Sequence, residues 1–186
     1  MINFLGGTLL LVLILLLGLD LPDLDQRIPF LLQHRSIITH GFLIPLGIFL
    51  AMQQDKTRTA RYLSMGVSLA MVIHLCYDLF PRAWRGYALI YTPILGRSGP
   101  VFSWFWIGVS IIICLYLAFV LIENLQDILA VLISLGIGFT VYAIRQPSSL
   151  LVSAISTLLI MGSLTLMLPA KSRKLLKDLK NVFKTS

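Results

Sequence analysis

Between residues 2 and 19 the chain carries no charged side chain. Such a run leaves little choice of backbone structure. In hydrocarbon every amide must find its partner inside the protein, and a single apolar segment does so only as an α-helix. Roughly 20 residues cross a bilayer, so the run is just long enough. Leu21-Pro22 ends it, because proline disfavours helix in the residue before it. No basic residue precedes the run and no small-x-small cleavage site follows, so it is expected to stay as a helix rather than be removed as a signal peptide.

Five further apolar stretches follow, at about 37–52, 62–80, 101–122, 128–144 and 150–168. Polar turns separate them: 53–61 with Lys56, Arg58 and Arg61, an aromatic, Gly- and Pro-rich loop at 82–100, Glu123 to Asp127, and Arg145-Gln-Pro147. The expectation is an all-α, polytopic transmembrane helical bundle of about six spans, one membrane domain over 1–169, and a basic amphipathic tail over 170–186. In that tail Leu175, Leu176, Leu179, Val182 and Phe183 share one face if it is helical, which suits the surface of anionic lipid. A chain 58% hydrophobic and 12% charged lies outside the range of an ordinary soluble domain. The net charge of +7 sits in short loops and the tail, where membrane topology accounts for it, so no nucleic-acid partner is expected. Cys76 and Cys114 both fall in apolar segments and suggest neither a disulfide framework nor a thiolate metal site.

Six spans put both termini on one side. Lys56, Arg58, Arg61 and the basic residues of the tail fall there, and Arg27, Arg35, Arg82, Arg85, Arg97 and Arg145 fall on the other. The denser terminal side reads as cytoplasmic, and the membrane as a prokaryotic plasma (inner) membrane. The loop 20–35, the start of the second segment and the end of the third then share the opposite face.

That face collects the chain's chemistry. All three histidines and half of the eight acids lie in two short pieces: Asp20, Asp23 and Asp25 with His34 and His40, then His74 with Asp78. Ionisable groups at the edge of a membrane segment are costly and read as a working site by default. His74 and Asp78 are i and i+4, one turn apart on one helix face, able to offer a nitrogen and a carboxylate to one ion. Asp23 and Asp25 flank one residue of an extended loop and can point the same way. His34 and His40 share a site only if His34 precedes the helix. Alone, the His74/Asp78 pair is equally a sealed helix end, and the Asp-rich loop is more often a solvated turn. Their coincidence carries the metal reading. Mixed carboxylate and imidazole ligands suit Zn²⁺, Mn²⁺ or Fe²⁺, and their number leaves room for one or two ions. Asp25 is the expected catalytic carboxylate, and Arg35, ahead of Arg82 and Arg85, the expected anchor for an anionic group such as phosphate.

The order Leu-Pro-Asp23-Leu-Asp25, His34-Arg35-Ser-Ile-Ile-Thr39-His40 and His74-x-x-x-Asp78 resembles the YdjM-like family of inner-membrane-bound, metal-dependent hydrolases. The likeness covers the first half of the chain. It implies a metal set of Asp23, Asp25, His40, His74 and Asp78, with His34 and Arg35 beside it. The chain departs from the family pattern at Gln26, where many members carry histidine, and at Gly41, where serine usually follows Thr-His. The expected activity is metal-dependent hydrolysis of a lipid or lipid-linked (phospho)ester, with membrane lipid as the partner. The rivals are a metal or proton transporter, disfavoured because the ionisable residues cluster at helix ends with no internal repeat, and a non-catalytic subunit of a membrane complex.

Overall fold

The computed structural model describes residues 4–27, 33–55, 57–79, 89–145, 155 and 162. Helix α1 (Phe4–Gly18) leads into a single turn, α2 (Leu24–Arg27). Helices α3 (Leu43–Met52) and α4 (Arg58–Leu79) follow. A small antiparallel hairpin pairs β1 (Tyr91–Thr92) with β2 (Gly96–Arg97), and Gly96 supplies the left-handed residue of its turn at φ 75°. Helices α5 (Pro100–Val120) and α6 (Leu125–Arg145) complete the described elements. Apart from Ile155 and Gly162, the sixth expected segment lies outside the described residues, as do the tail, Lys56, Arg82, Trp84, Arg85 and Tyr87.

Helix α4 is the pillar of the bundle, packed against α1, α3, α5 and α6 and buried around almost its whole circumference. Small residues let neighbours close on it, as membrane helices require where no hydrophobic force drives them together. A Cβ on Gly66 would stand 2.6 Å from Ile14 Cγ2 of α1, and one on Gly138 of α6 would stand 2.6 Å from Ile73 Cδ1. The outward faces are apolar instead. Leu5, Leu9, Leu13 and Leu17 form an exposed stripe along α1, and Ile133, Ile137 and Ile144 continue the pattern on α6. Apolar surface on this scale suits lipid, not water. Helices α4, α5 and α6 are each long and apolar enough to cross a membrane. The 15 residues of α1 and 10 of α3 are shorter, about 22 and 15 Å against a hydrocarbon core of about 30 Å.

Two expected boundaries move. The second segment becomes helical only at Leu43, because residues 34–42 spend their polar groups on a turn. The third begins earlier, at Arg58, where Thr57 Oγ1 caps the Ala60 amide at 3.2 Å.

Polar groups pin the two ends of the bundle. At the end where α4 and α6 begin, the buried Asp127 accepts from Tyr62 Oη at 2.7 Å and from Arg61 Nη2 at 3.3 Å. It also accepts from the Glu123 amide at 2.9 Å, while Asn124 Oδ1 takes the Asp127 amide at 3.0 Å, a reciprocal cap on α6. Arg61 pairs with Glu123 as well. The opposite end holds every histidine.

Candidate metal centre

Near the end of α4, His74 and Asp78 lie one turn apart, with Nε2 and Oδ2 separated by 3.5 Å. The His74 ring is set from behind by the turn after α1, where the Leu19 carbonyl lies 3.0 Å from Nδ1. A carbonyl oxygen only accepts, so Nδ1 carries the proton, and in the neutral ring Nε2 presents its lone pair toward Asp78. Tyr142 Oη of α6 shares the Nδ1 side at 2.9 Å.

His40 arrives from the turn before α3 and is oriented in the same way. Its Nδ1 lies 3.2 Å from Asp25 Oδ2 and 3.1 Å from Thr39 Oγ1. An ionised carboxylate cannot donate, so this nitrogen is also protonated. His40 Nε2 then faces Asp78 Oδ2 at 3.6 Å. Among the described residues both of these atoms are buried without a hydrogen-bond partner. Unpaired buried polar atoms are rare enough to call for an explanation, an ion among them.

His40, His74 and Asp78 offer three atoms that lie within 4.8 Å of one another. Two atoms each about 2.0–2.2 Å from one tetrahedral ion stand about 3.3–3.6 Å apart, and the two carboxylate–imidazole separations of 3.5 and 3.6 Å fall in that range. Two imidazoles with fixed tautomers and one carboxylate therefore fit a divalent transition ion. Asp23, His34 and His40 form a second such group. It shares His40, whose single lone pair already faces Asp78, so the two groups do not fill independently.

Asp25 belongs to neither group. It is fully buried at the start of α2 and saturated. The Ser36 amide donates to it at 3.1 Å and Thr39 Oγ1 at 2.9 Å, and His34 Nδ1 stands 3.4 Å away. Burial pushes its carboxyl up, but hydrogen bonds from His34, His40 and Thr39 outweigh that and hold it well below the usual carboxylate range. The expected pair of parallel carboxylates is thus divided by the α2 turn. Asp25 turns inward to the histidines, whereas Asp23 stays partly exposed and accepts from Gln26 Nε2 at 2.7 Å. Asp20 is drawn off to Arg145, 3.0 Å away across the ends of α1 and α6.

Arg35 sits directly above the cluster, with Nη2 2.8 Å from Asp78 Oδ1. Its backbone is left-handed at φ 63°, a conformation that costs a non-glycine residue about 1–3 kcal/mol and persists only where the surroundings enforce it. The hairpin does so here. Tyr91 N donates to Arg35 O at 2.8 Å, and Ile37 N donates to Tyr91 O at 2.8 Å. Trp106 of α5 supplies a further tie, donating from Nε1 to the His40 carbonyl at 3.0 Å. Gly41 makes room for it, since a Cβ there would stand 2.7 Å from Trp106 Nε1.

The two stretches singled out in the sequence therefore do meet, at one end of the bundle. The residues that sequence reading missed are the supports. Leu19 and Ser36 act through backbone atoms and leave no signal in a side chain. Tyr142, a phenol in the apolar half of α6, and the Gly41–Trp106 pair were visible as residue types but not as partners. No family model, curated protein or solved structure matches this chain.

Proposed function

We propose that this protein is a membrane-embedded, metal-dependent hydrolase that holds one divalent ion on His40 Nε2, His74 Nε2 and Asp78 Oδ2. His40 Nε2 and Asp78 Oδ2, 3.6 Å apart and buried without a hydrogen-bond partner among the described residues, carry the reading. Zn²⁺, Mn²⁺ or Fe²⁺ suits such a set, and when bound it polarises an ester and acidifies water. Asp25 and the Leu19 carbonyl orient the two imidazoles. Asp25 also bonds His34 Nδ1, which leaves the Nε2 of this half-exposed histidine as the proton acceptor at the mouth of the site. The substrate is a lipid or lipid-linked ester, because the site lies at the end of helices whose outer faces are apolar. The reading includes six membrane segments, with 150–168 as the last, a basic tail on anionic lipid, and termini on the cytoplasmic face of an inner membrane, opposite the site. The order of Asp, His and Arg residues supports kinship with the YdjM-like hydrolases.

Elemental analysis of detergent-purified protein, paired with release of product from phospholipid and lipid-linked esters, tests this. His40→Ala and His74→Ala should lose ion and turnover together. His34→Ala should keep the ion and lose about 10²–10⁴ of turnover, the usual contribution of a positioned proton acceptor. A His74→Ala protein that retains a full complement of ion would sink the assignment.

A further inference from the structure

Arg35 spends only one of its three guanidinium nitrogens on Asp78. Nε and Nη1 are buried with no hydrogen-bond partner among the described residues. Three of the five guanidinium N–H bonds thus have no acceptor among the described residues, and they belong to a group held 2.8 Å from the Asp78 carboxylate. Burying a cation this way is unfavourable unless an anion completes it. A carboxylic ester is neutral and offers one carbonyl oxygen, so it would leave these donors unmatched, whereas a phosphoester offers charged non-bridging oxygens to them.

We propose that the site acts on phosphoesters, and that the Nε/Nη1 edge of Arg35 is the docking point for a non-bridging phosphoryl oxygen. The proposal rests on the metal-centre reading above and narrows its substrate class. A guanidinium matches phosphate oxygens in direction as well as charge, and Arg35 is held rigidly by the hairpin and by Asp78. In the reaction water adds to phosphorus and the P–O bond to the leaving alcohol breaks. One water hydrogen stays on the new P–OH, and the other passes through His34 Nε2 to the leaving oxygen.

Two variants test the role without disturbing the fold. Arg35→Gly removes the side chain at a left-handed position that glycine adopts freely, and Arg35→Lys keeps the charge beside Asp78 but loses the planar fork. Binding of inorganic phosphate to Mn²⁺-loaded protein is read by ³¹P relaxation, alongside metal content. The wild type should bind phosphate, Arg35→Lys about tenfold more weakly, and Arg35→Gly about a hundredfold more weakly, the range expected for losing hydrogen bonds to a charged group. Metal content of Arg35→Lys should match the wild type. A parallel arm with phosphatidate in mixed micelles separates the sources: tighter binding than inorganic phosphate marks a lipid headgroup, and equal binding marks a soluble phosphate. Metal-loaded protein that binds phosphate equally well in the wild type and both variants overturns the proposal and leaves the metal centre standing. A wild type that takes up no ion overturns both.

Discussion

Asp25 shows how far one carboxylate's place depends on neighbours distant in sequence. Its spacing from Asp23 suggested two like oxygens side by side, whereas the folded chain gives Asp25 two histidines, a threonine and a backbone amide as partners. Depressing its pKa has a stability consequence with a definite sign. The folded carboxyl is held below its ordinary value, and the unfolded one titrates near about 3.9. The stabilisation is therefore complete above that pH and is lost as pH falls through about 4 and lower. Metal-stripped wild type should lose thermal stability progressively as pH falls below about 4. Asp25→Asn should be less stable at neutral pH and flatter across that window. Parallel melting curves for the two proteins down to acid pH would show that Asp25 contributes nothing of the kind. The candidate ligands were legible because His and Asp are scarce in this chain and i, i+4 spacing on a helix is unambiguous. What each carboxylate does was not, because that is decided by atoms such as the Leu19 carbonyl and the Ser36 amide, which every residue possesses.

The same contrast holds for the elements. Charge-free length announced α5 and α6 to within a few residues, since in lipid nothing but helix satisfies the backbone. The hairpin at 91–97 was hidden within an aromatic loop, and the turn at 34–42 within an apolar stretch, because both are set by tertiary bonds between Arg35, Ile37 and Tyr91. The join between that turn and α5 is tight enough to test. In Gly41→Ala the new methyl must push Trp106 aside and break its bond to the His40 carbonyl. Overpacking of this kind costs about 1–3 kcal/mol, and loosening a ligand's support weakens metal affinity by about 10- to 100-fold. Trp106→Phe in the same background should recover part of the lost stability. Unchanged melting temperature and metal affinity in Gly41→Ala would show that the turn yields freely.

At the scale of the whole molecule, the histidine cluster and the Asp127 cluster sit at opposite ends of the bundle, and the proposed reading puts them at opposite membrane faces. Cys76 and Cys114 are buried, so single cysteines introduced elsewhere can be labelled against a quiet background. Gln26 and Ile94, both exposed beside the histidines, should react from one side of sealed vesicles, and Gln53, exposed at the far end, from the other. Labelling of all three from the same side would refute the arrangement. Helix α4 joins the two ends, carrying Arg61 and Tyr62 at its start and His74 and Asp78 near its close. It is also the least suited of the long helices to sit alone in lipid, since a carboxylate or imidazole facing hydrocarbon is costly. During synthesis it emerges before α5 and α6, which form much of its eventual covering. The nascent chain therefore holds His74 and Asp78 on a helix that gains its shelter late, and biogenesis must keep α4 in protein or translocon surroundings until α5 and α6 close over it.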